Sequence, residues 1–230
     1  MKVAIKIAVI LCLLHLTACD GMDSLHEKYL EQGEAIYTGV IDSLKAYPGN
    51  NRVKFTWEIN SDPRIRKTVI YWNERQDSST VQANRTGFSG RLPMETTMDI
   101  PEGNYIFEFV TRDDEEHHSM FVEQTVQVYG EKLIETLRNR SIRSISAEDA
   151  EATVEWFPID DLTVQYTTVR YTDHPEAGNP VRKAVRIEND ETETRLPHVR
   201  PGDLIEVIST HLPDNGLDRI DALPKEYRIP

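Results

Sequence analysis

The sequence predicts an all-β protein: two tandem β-sandwiches after a signal peptide, joined by a short helical connector. Three observations predict this fold class. Apolar and polar residues alternate through much of the chain, turn signals recur at short intervals, and features repeat at an offset of 99 residues, as between Trp57 and Trp156. Alternation with a period of two residues indicates strands that bury one face, and many short strands of this kind are typical of a sandwich.

The N-terminus has the layout of a secretory signal peptide. Lys2 and Lys6 precede the apolar stretch 7–14, and the tripeptide Leu-Thr-Ala at positions 16–18 precedes Cys19. This order of a basic, an apolar and a small-residue region is typical of exported proteins. The apolar stretch is shorter than the roughly 20 residues that a membrane-spanning helix requires, so we expect no transmembrane span in the mature protein.

Cys19 completes a lipobox and is the predicted site of lipid attachment. We expect cleavage after Ala18 and acylation of the Cys19 thiol, which would anchor the protein in the lipid bilayer. Each buried methylene group contributes about 0.8 kcal/mol, and two or more chains anchor a protein stably. The predicted location is the outer membrane, at its periplasmic face or at the cell surface. The alternative is an ordinary signal peptide that happens to end near a cysteine.

The composition excludes nucleic acid as a partner. The chain has 39 acidic and 26 basic residues, a net charge of −13, which becomes −15 if two lysines leave with the signal peptide. A protein this acidic is a poor ligand for nucleic acid, since phosphate recognition relies on lysine and arginine. Cys12 would leave as well, so no pair of thiols would remain for a disulfide and the fold would depend on core packing.

The repeat predicts how the chain is divided. Leu133 and Leu137 lie four residues apart and would share one face of a short helix, although an irregular linker is the alternative. Ser24 and Glu27 have the spacing of a helix capping box. The predicted segments are 1–18 for the signal peptide, 19–33 for a tether with a short helix, 34–129 for the first sandwich, 130–140 for the helical connector and 141–230 for the second sandwich.

The strands of each sandwich are predicted from residues that share one parity. A residue pattern of this kind places the apolar members on the inner face of a sheet. In the first sandwich the predicted inward-facing residues are Val53, Phe55, Trp57 and Ile59, then Ile70 and Trp72, then Tyr105, Phe107 and Phe109, then Val122, Val126 and Val128. In the second, Trp156, Val169 and Tyr171 match Trp57, Ile70 and Trp72.

The order of these signatures resembles the fibronectin type III module, an immunoglobulin-like sandwich. A strand with a buried tryptophan is followed by a strand with an inward aromatic residue, and later by proline and glycine before the next strand. In that module a tyrosine two residues after the glycine forms a corner. Tyr105 occupies this place in the first copy, whereas Leu204, which has no hydroxyl to donate, occupies it in the second.

The whole chain is similar to an uncharacterised family of Gram-negative bacterial lipoproteins, a domain of unknown function. That resemblance implies a cell-envelope lipoprotein, often exposed on the surface. It brings no known activity and no ligand residues beyond the lipidated cysteine. The residues that carry it are Cys19, Tyr29-Leu30, Gly33-Glu34, Tyr37, Tyr47 to Arg52, Trp57, Ile70 to Asn73, Glu102 to Tyr105, Tyr129-Gly130 and Leu137 to Arg140.

The acidic run 113–118, Asp-Asp-Glu-Glu-His-His, is the most suggestive local cluster. Carboxylates and imidazoles are metal ligands, but six consecutive residues cannot converge on one ion. We interpret the run as a solvated hairpin loop. The alternative is a calcium ion shared between this loop and the connector, with Asp113, Glu115 and Glu131 as weak candidate ligands.

Exposed aromatic residues are the predicted ligand contacts. If Ile70 and Trp72 face inward, Tyr71 faces outward, and it is the first candidate, followed by Tyr37 and Tyr47. The alternative is that Tyr71 packs under the turn 73–78, because tyrosine is often partly buried.

These patterns predict a non-catalytic cell-envelope lipoprotein, a surface element for adhesion, binding or scaffolding. Its partner is expected to be a protein or an envelope glycan. We expect no cofactor and no enzyme activity, since the sequence has neither a Gly-rich phosphate loop nor a nucleophile elbow. The alternative function is that of a carbohydrate-binding accessory protein in a glycan-uptake system.

Overall fold

The computed structural model describes residues 36–87 and 90–230, which form two β-sandwiches and one short helix. The predicted signal peptide, tether helix and anchor at Cys19 lie outside the described residues. Within the described ranges, no helix has both the length and the apolar character needed to cross a membrane.

The first module, strands β1 to β7, is a sandwich of two antiparallel sheets. One sheet has the order β1-β2-β5 and the other β4-β3-β6-β7. The residues predicted to face inward on β2 are buried between them, as are Phe107 and Phe109 of β6, whereas Tyr105 is only partly buried. Phe55, Phe107 and Phe109 are fully covered. The strands are β1 (Ile41–Gly49), β2 (Arg52–Ile59), β3 (Lys67–Trp72), β4 (Asp77–Gln82), β5 (Leu92–Asp99), β6 (Gly103–Arg112) and β7 (Val122–Val128).

The second module, strands β8 to β15, repeats this architecture after a six-residue helix α1 (Glu131–Thr136). Its sheets have the orders β8-β9-β12 and β11-β10-β13, and both β14 and β15 pair with the far side of β13. The all-β prediction is confirmed. The strands are β8 (Ile142–Glu148), β9 (Glu151–Trp156), β10 (Val164–Asp173), β11 (Val181–Ile187), β12 (Glu193–Pro197), β13 (Leu204–His211), β14 (Ile220–Asp221) and β15 (Lys225–Arg228).

The two repeated tryptophans occupy equivalent positions on β2 and β9. Trp57 and Trp156 are each only 2% exposed. Both donate an indole N–H to a threonine hydroxyl, as a buried indole requires. Trp57 donates to Thr68 of β3 at 3.2 Å, whereas Trp156 donates to Thr194 of β12 at 2.9 Å. The two tryptophans therefore occupy the same core position, but their indole N–H groups find acceptors in different sheets. The acceptor of Trp57 is in the facing sheet, and that of Trp156 is in its own sheet.

The corner of the first module has the expected tyrosine geometry. The hydroxyl of Tyr105 donates to the carbonyl of Pro101 at 3.0 Å. Leu204 offers no such donor in the second module, and Asp203 closes this corner instead by accepting the N–H of Arg200 at 2.9 Å. The second corner is thus closed by a different contact, made by the residue that precedes Leu204.

The modules are joined directly through the turn between β1 and β2. The carboxylate of Asp218, in the loop after β13, accepts from Nε of Arg52 and from the N–H of Asn50, both at 2.9 Å. Leu217 donates its N–H to the carbonyl of Pro48 at 2.7 Å. The guanidinium of Arg52 holds the pKa of Asp218 below its usual value, against the opposing effect of burial. The junction is therefore polar and includes a charged clamp.

Residues after α1 attach the connector to the second module. The side chain of Asn139 donates to the carbonyl of Leu223 and accepts the N–H of Ser209, both at 2.6 Å. Arg140 is 5% exposed, and its guanidinium donates to the carbonyls of Phe157 at 3.0 Å and Glu191 at 2.7 Å. Burial lowers the pKa of Arg140. These contacts give residues 139–140 a structural role.

Candidate binding surface

An aromatic cluster lies at the outer side of the four-stranded sheet of the first module. Ring centroids are separated by 6.3 Å between Tyr71 and Phe121, 6.1 Å between Phe121 and His118, and 6.3 Å between His118 and Tyr37. Two of the predicted ligand contacts, Tyr71 and Tyr37, thus belong to one continuous surface. We call this surface, formed by Tyr37, Tyr71, His118, Met120 and Phe121, the aromatic face.

Strand alternation explains why these rings point away from the core. Ile70 is fully buried between the sheets, so its neighbour Tyr71 points outward. Val122 is paired with the inward-facing Phe109, so the preceding Phe121 lies on the outer side. His118 is held near the sheet by a bridge to Arg112 at the end of β6.

The segment that enters the first module positions Tyr37. The hydroxyl of Thr38 is 2.8 Å from the hydroxyl of Thr111, and the guanidinium of Arg64 donates to the carbonyl of Tyr37 at 3.1 Å. Tyr37 is nevertheless 54% exposed, and Met120 is 66% exposed. Apolar surface of this kind is available to a partner.

Tyr71 itself is half-buried. It is covered by Phe121 and Arg112, and the guanidinium of Arg112 donates to its hydroxyl at 3.1 Å. The alternative expectation is that Tyr71 packs under the turn 73–78. The turn reaches the ring of Tyr71 indirectly, through Phe121. Arg75 of that turn lies 3.9 Å above the ring of Phe121, the neighbour of Tyr71.

Charged side chains border the aromatic face and are paired with one another. Arg75 donates to both carboxylate oxygens of Glu108, and this contact holds the pKa of Glu108 below its usual value. Arg112 pairs with Glu116 at 2.8 Å. The buried Nε of Arg112 has no hydrogen-bond partner among the described residues. The face is thus an apolar and aromatic surface within a polar rim.

The acidic run 113–118 forms the loop between β6 and β7. Burial would raise the pKa of Asp113. Hydrogen bonds from the His117 ring at 2.8 Å and from the N–H groups of His117 and Glu115 outweigh burial, and they hold that pKa below its usual value. Asp114 pairs with Arg66 at 2.9 Å. The carboxylates of this loop are therefore occupied by groups of the chain itself.

The structure does not bring the weak metal candidates together. Asp113 directly follows the C-terminal end of β6. Helix α1 contacts the N-terminal end of β6, where the carboxylate of Glu102 accepts the N–H of Lys132 at 2.9 Å. The 10 residues of β6 span roughly 33 Å. Asp113 and Glu115 therefore cannot share an ion with Glu131. Within residues 36–87 and 90–230, no three His, Cys, Asp or Glu side chains are grouped to hold a metal ion.

Tyr47, the third predicted contact, lies on the opposite side of the first module. It is on β1, paired with Lys54, and it lines an open hollow of about 450 Å³. Lys45, Met94 and Glu95 also line this hollow. The three predicted tyrosines consequently belong to two separate surfaces.

Sequence reasoning missed His118, Met120 and Phe121. His118 is the last residue of the acidic run that the sequence predicts to be a solvated loop, and Met120 and Phe121 lie between that run and the inward-facing Val122. One signal could have found Phe121: it directly precedes the inward-facing Val122, so strand parity places it outside. No local pattern could have placed Arg75 above the ring of Phe121, because the two residues are brought together only by the sheet.

Comparison with solved structures returned fibronectin type III proteins. A segment of two such domains from chicken tenascin is 15% identical, with coverage of 82% of this chain and 98% of that one, at a TM-score of 0.32. The FN1-FN3 domains of chicken CNTN1 are 13% identical, with coverage of 85% and 69%, at a TM-score of 0.35. TM-scores this low do not support an assignment, so the fold is assigned from the strand order described above.

No curated protein matches the chain. A family model, DUF4998, described as a domain of unknown function, matches residues 19–220.

Proposed function

This chain belongs to the DUF4998 family, a domain of unknown function, and we propose that it is a non-catalytic binding protein of the cell envelope. The geometry supports the binding role, and the predicted lipobox at Cys19 supports the envelope location. Its partner is a protein, and the contact is made through the aromatic face of the first module. The observation that carries the proposal is the run of neighbouring rings from Tyr37 to Tyr71, bordered by Arg75 and Arg112.

The composition of the aromatic face supports a protein partner. Tyrosine, phenylalanine, methionine and arginine are the residues enriched at the centre of protein interfaces, and a polar rim surrounds such centres. Tyr37 and Met120 supply exposed apolar area, while Glu108 and Glu116 fix the arginines of the rim. The face is therefore already organised before a partner arrives, which reduces the entropy lost on binding.

The same contacts argue against a sugar on this face. A sugar ring stacks on an open aromatic ring, but Arg75 lies 3.9 Å above the ring of Phe121. The hydroxyl of Tyr71 is already bonded to Arg112 at 3.1 Å. A glycan would have to displace both arginines, whereas a protein can pack around them.

The hollow at Tyr47 favours the second candidate function, carbohydrate binding. Tyr47 and Met94 provide an apolar wall, and Glu58, Glu95 and Lys45 provide polar groups at its edge. An aromatic wall with nearby carboxylates can hold a sugar ring by stacking and hydrogen bonding. In that case the protein would serve as the accessory of a glycan-uptake system.

The proposed lipid anchor would limit the distance between the aromatic face and a membrane. The described chain begins at Ile36, next to Tyr37 of that face, and Cys19 lies 36 − 19 = 17 residues earlier. A chain of this length reaches at most roughly 60 Å when fully extended. We therefore propose outer-membrane attachment through acylated Cys19 and a partner that is close to the same membrane.

A binding experiment separates the two candidate functions. Lipidated protein is affinity-purified from its own cells, and the co-purified proteins are quantified for the wild type and for a Tyr37→Ala, Met120→Ala double variant. Leu162→Ala is the matched control, because Leu162 is 95% exposed and lies on the second module. We expect one protein to be lost at least tenfold in the double variant alone.

A glycan panel supplies the opposing result. If glycans bind and Tyr47→Ala abolishes that binding, while the double variant retains every co-purified protein, the carbohydrate function is supported and the protein function is contradicted.

A further inference from the structure

Strand β11 concentrates positive charge in an otherwise acidic chain. The chain has 39 acidic and 26 basic residues, yet the seven residues of β11 include Arg182, Lys183 and Arg186. Arg170 lies on the neighbouring strand β10. Local concentration of cations on an acidic protein marks a surface that attracts an anionic partner.

The strand register arranges three of these arginines around one small residue. Arg170 is directly opposite Ala184. Arg182 and Arg186 stand two residues to either side of Ala184, so all three point to the same outer side of the sheet. Their backbone positions flank Ala184, whose side chain is only a methyl group. We call this surface, formed by Arg170, Arg182, Ala184 and Arg186, the basic shelf.

The arginines of the basic shelf are held in place by the sheet. Arg186 lies 3.9 Å above the ring of Tyr166. Glu206 is 2.5 Å from Arg182 and 3.9 Å from Arg170. Arg186 also pairs with Glu188 at 2.6 Å. An anionic partner therefore meets preorganised arginines, about half exposed, and it must compete with two carboxylates for them.

The backbone next to the basic shelf is also open. Among the described residues, β11 pairs only with β10, so the N–H and C=O groups along its other edge have no strand partner. An extended polypeptide can add to such an edge through main-chain hydrogen bonds, while its side chains give specificity. A sulfated or carboxylated glycan would use the arginines but not this edge.

The first module provides an internal comparison. Strand β4 occupies the equivalent edge of the first module, and its sequence Asp-Ser-Ser-Thr-Val-Gln has no basic residue. Charged edge strands often serve only to prevent aggregation. The edge of β4, in which Asp77 is the single charged residue, shows that this architecture does not need three cations for that purpose.

A second copy of the same edge fits poorly. Antiparallel pairing of β11 with another β11 would bring the arginines of both strands together, and like charges directly opposite one another destabilise a sheet. We propose that β11 and the basic shelf bind an extended acidic polypeptide segment, in which Asp or Glu alternates with apolar residues. This site is independent of the aromatic face.

The test uses a fluorescein-labelled peptide of four Glu-Val repeats and the whole mature chain. Fluorescence anisotropy should show saturable binding that weakens as salt concentration rises, since the contact includes ion pairs. The double variant Arg182→Glu, Arg186→Glu should lose at least tenfold in affinity. The control, Arg143→Glu with Arg219→Glu, makes the same change in net charge at exposed arginines elsewhere on the second module and should bind like the wild type.

Amide hydrogen exchange distinguishes edge pairing from general charge attraction. Bound peptide should slow exchange along β11 and leave β4 unchanged. The proposal is overturned if the peptide does not bind, if both double variants weaken it equally, or if β11 gains no protection. If heparin binds through Arg182 and Arg186 while the peptide does not bind, the partner is an anionic glycan and the proposed polypeptide partner is contradicted. Thermal unfolding of each variant checks that the second module remains folded.

Discussion

At the scale of single residues, the corner tyrosine gives the most direct test of the fold. Tyr105→Phe removes only the hydroxyl that donates to Pro101. A lost neutral hydrogen bond costs about 1 kcal/mol, so we expect a lower free energy of unfolding by chemical denaturation. Tyr47→Phe is the control, because its hydroxyl makes no hydrogen bond among the described residues. Equal stability of the two variants would contradict the corner assignment.

The buried Arg140 supports a second prediction. Arg140→Met removes the donors to the carbonyls of Phe157 and Glu191. A hydrogen bond from a charged donor contributes about 1.5–3 kcal/mol, so the second module should unfold at a distinctly lower denaturant concentration. Arg138→Met, two residues earlier and exposed, should have little effect. If both variants behave alike, Arg140 does not hold the connector in the way described.

At the scale of elements, Asp113 should determine the order of the loop that carries the aromatic face. Its carboxylate accepts the N–H groups of Glu115 and His117. Asp113→Ala should therefore speed amide exchange at both residues at least tenfold. Asp114→Ala is the control, because Asp114 makes only a surface ion pair with Arg66.

The same contact predicts the direction of a pH effect. The pKa of Asp113 is held below its usual value, so the folded loop favours the ionised carboxylate. The loop should stay protected above about pH 4, the ordinary carboxyl range, and lose protection as the pH falls through the lowered pKa. Loss of protection on raising the pH instead would contradict this assignment.

Strand patterns predicted the core well, because burial of alternate residues is a local property of each strand. Phe55, Phe107 and Phe109 are all covered as expected. The aromatic face could be predicted only in part, because it joins Tyr37 and Tyr71 through the loop residues His118 and Phe121. The position of that loop depends on the turn at Asp113, and no local pattern specifies it.

At the scale of the whole molecule, the clamp at Asp218 should control how the two modules are arranged. Its carboxylate binds Arg52 and Asn50. Asp218→Ala should widen the distribution of distances between spin labels on the two modules, while each module remains folded. Asp214→Ala, in the same loop, is the control. Unchanged distances in Asp218→Ala would show that this contact does not fix the junction.

Photo-crosslinking on intact cells tests the central claim most directly. A photoreactive amino acid replaces Met120, in the aromatic face, or Leu162, which is exposed on the second module. We expect one discrete protein adduct from position 120 that disappears when Tyr37→Ala is added, and no such adduct from position 162. Identical adducts from both positions, or an adduct at 120 that is insensitive to Tyr37→Ala, would contradict it.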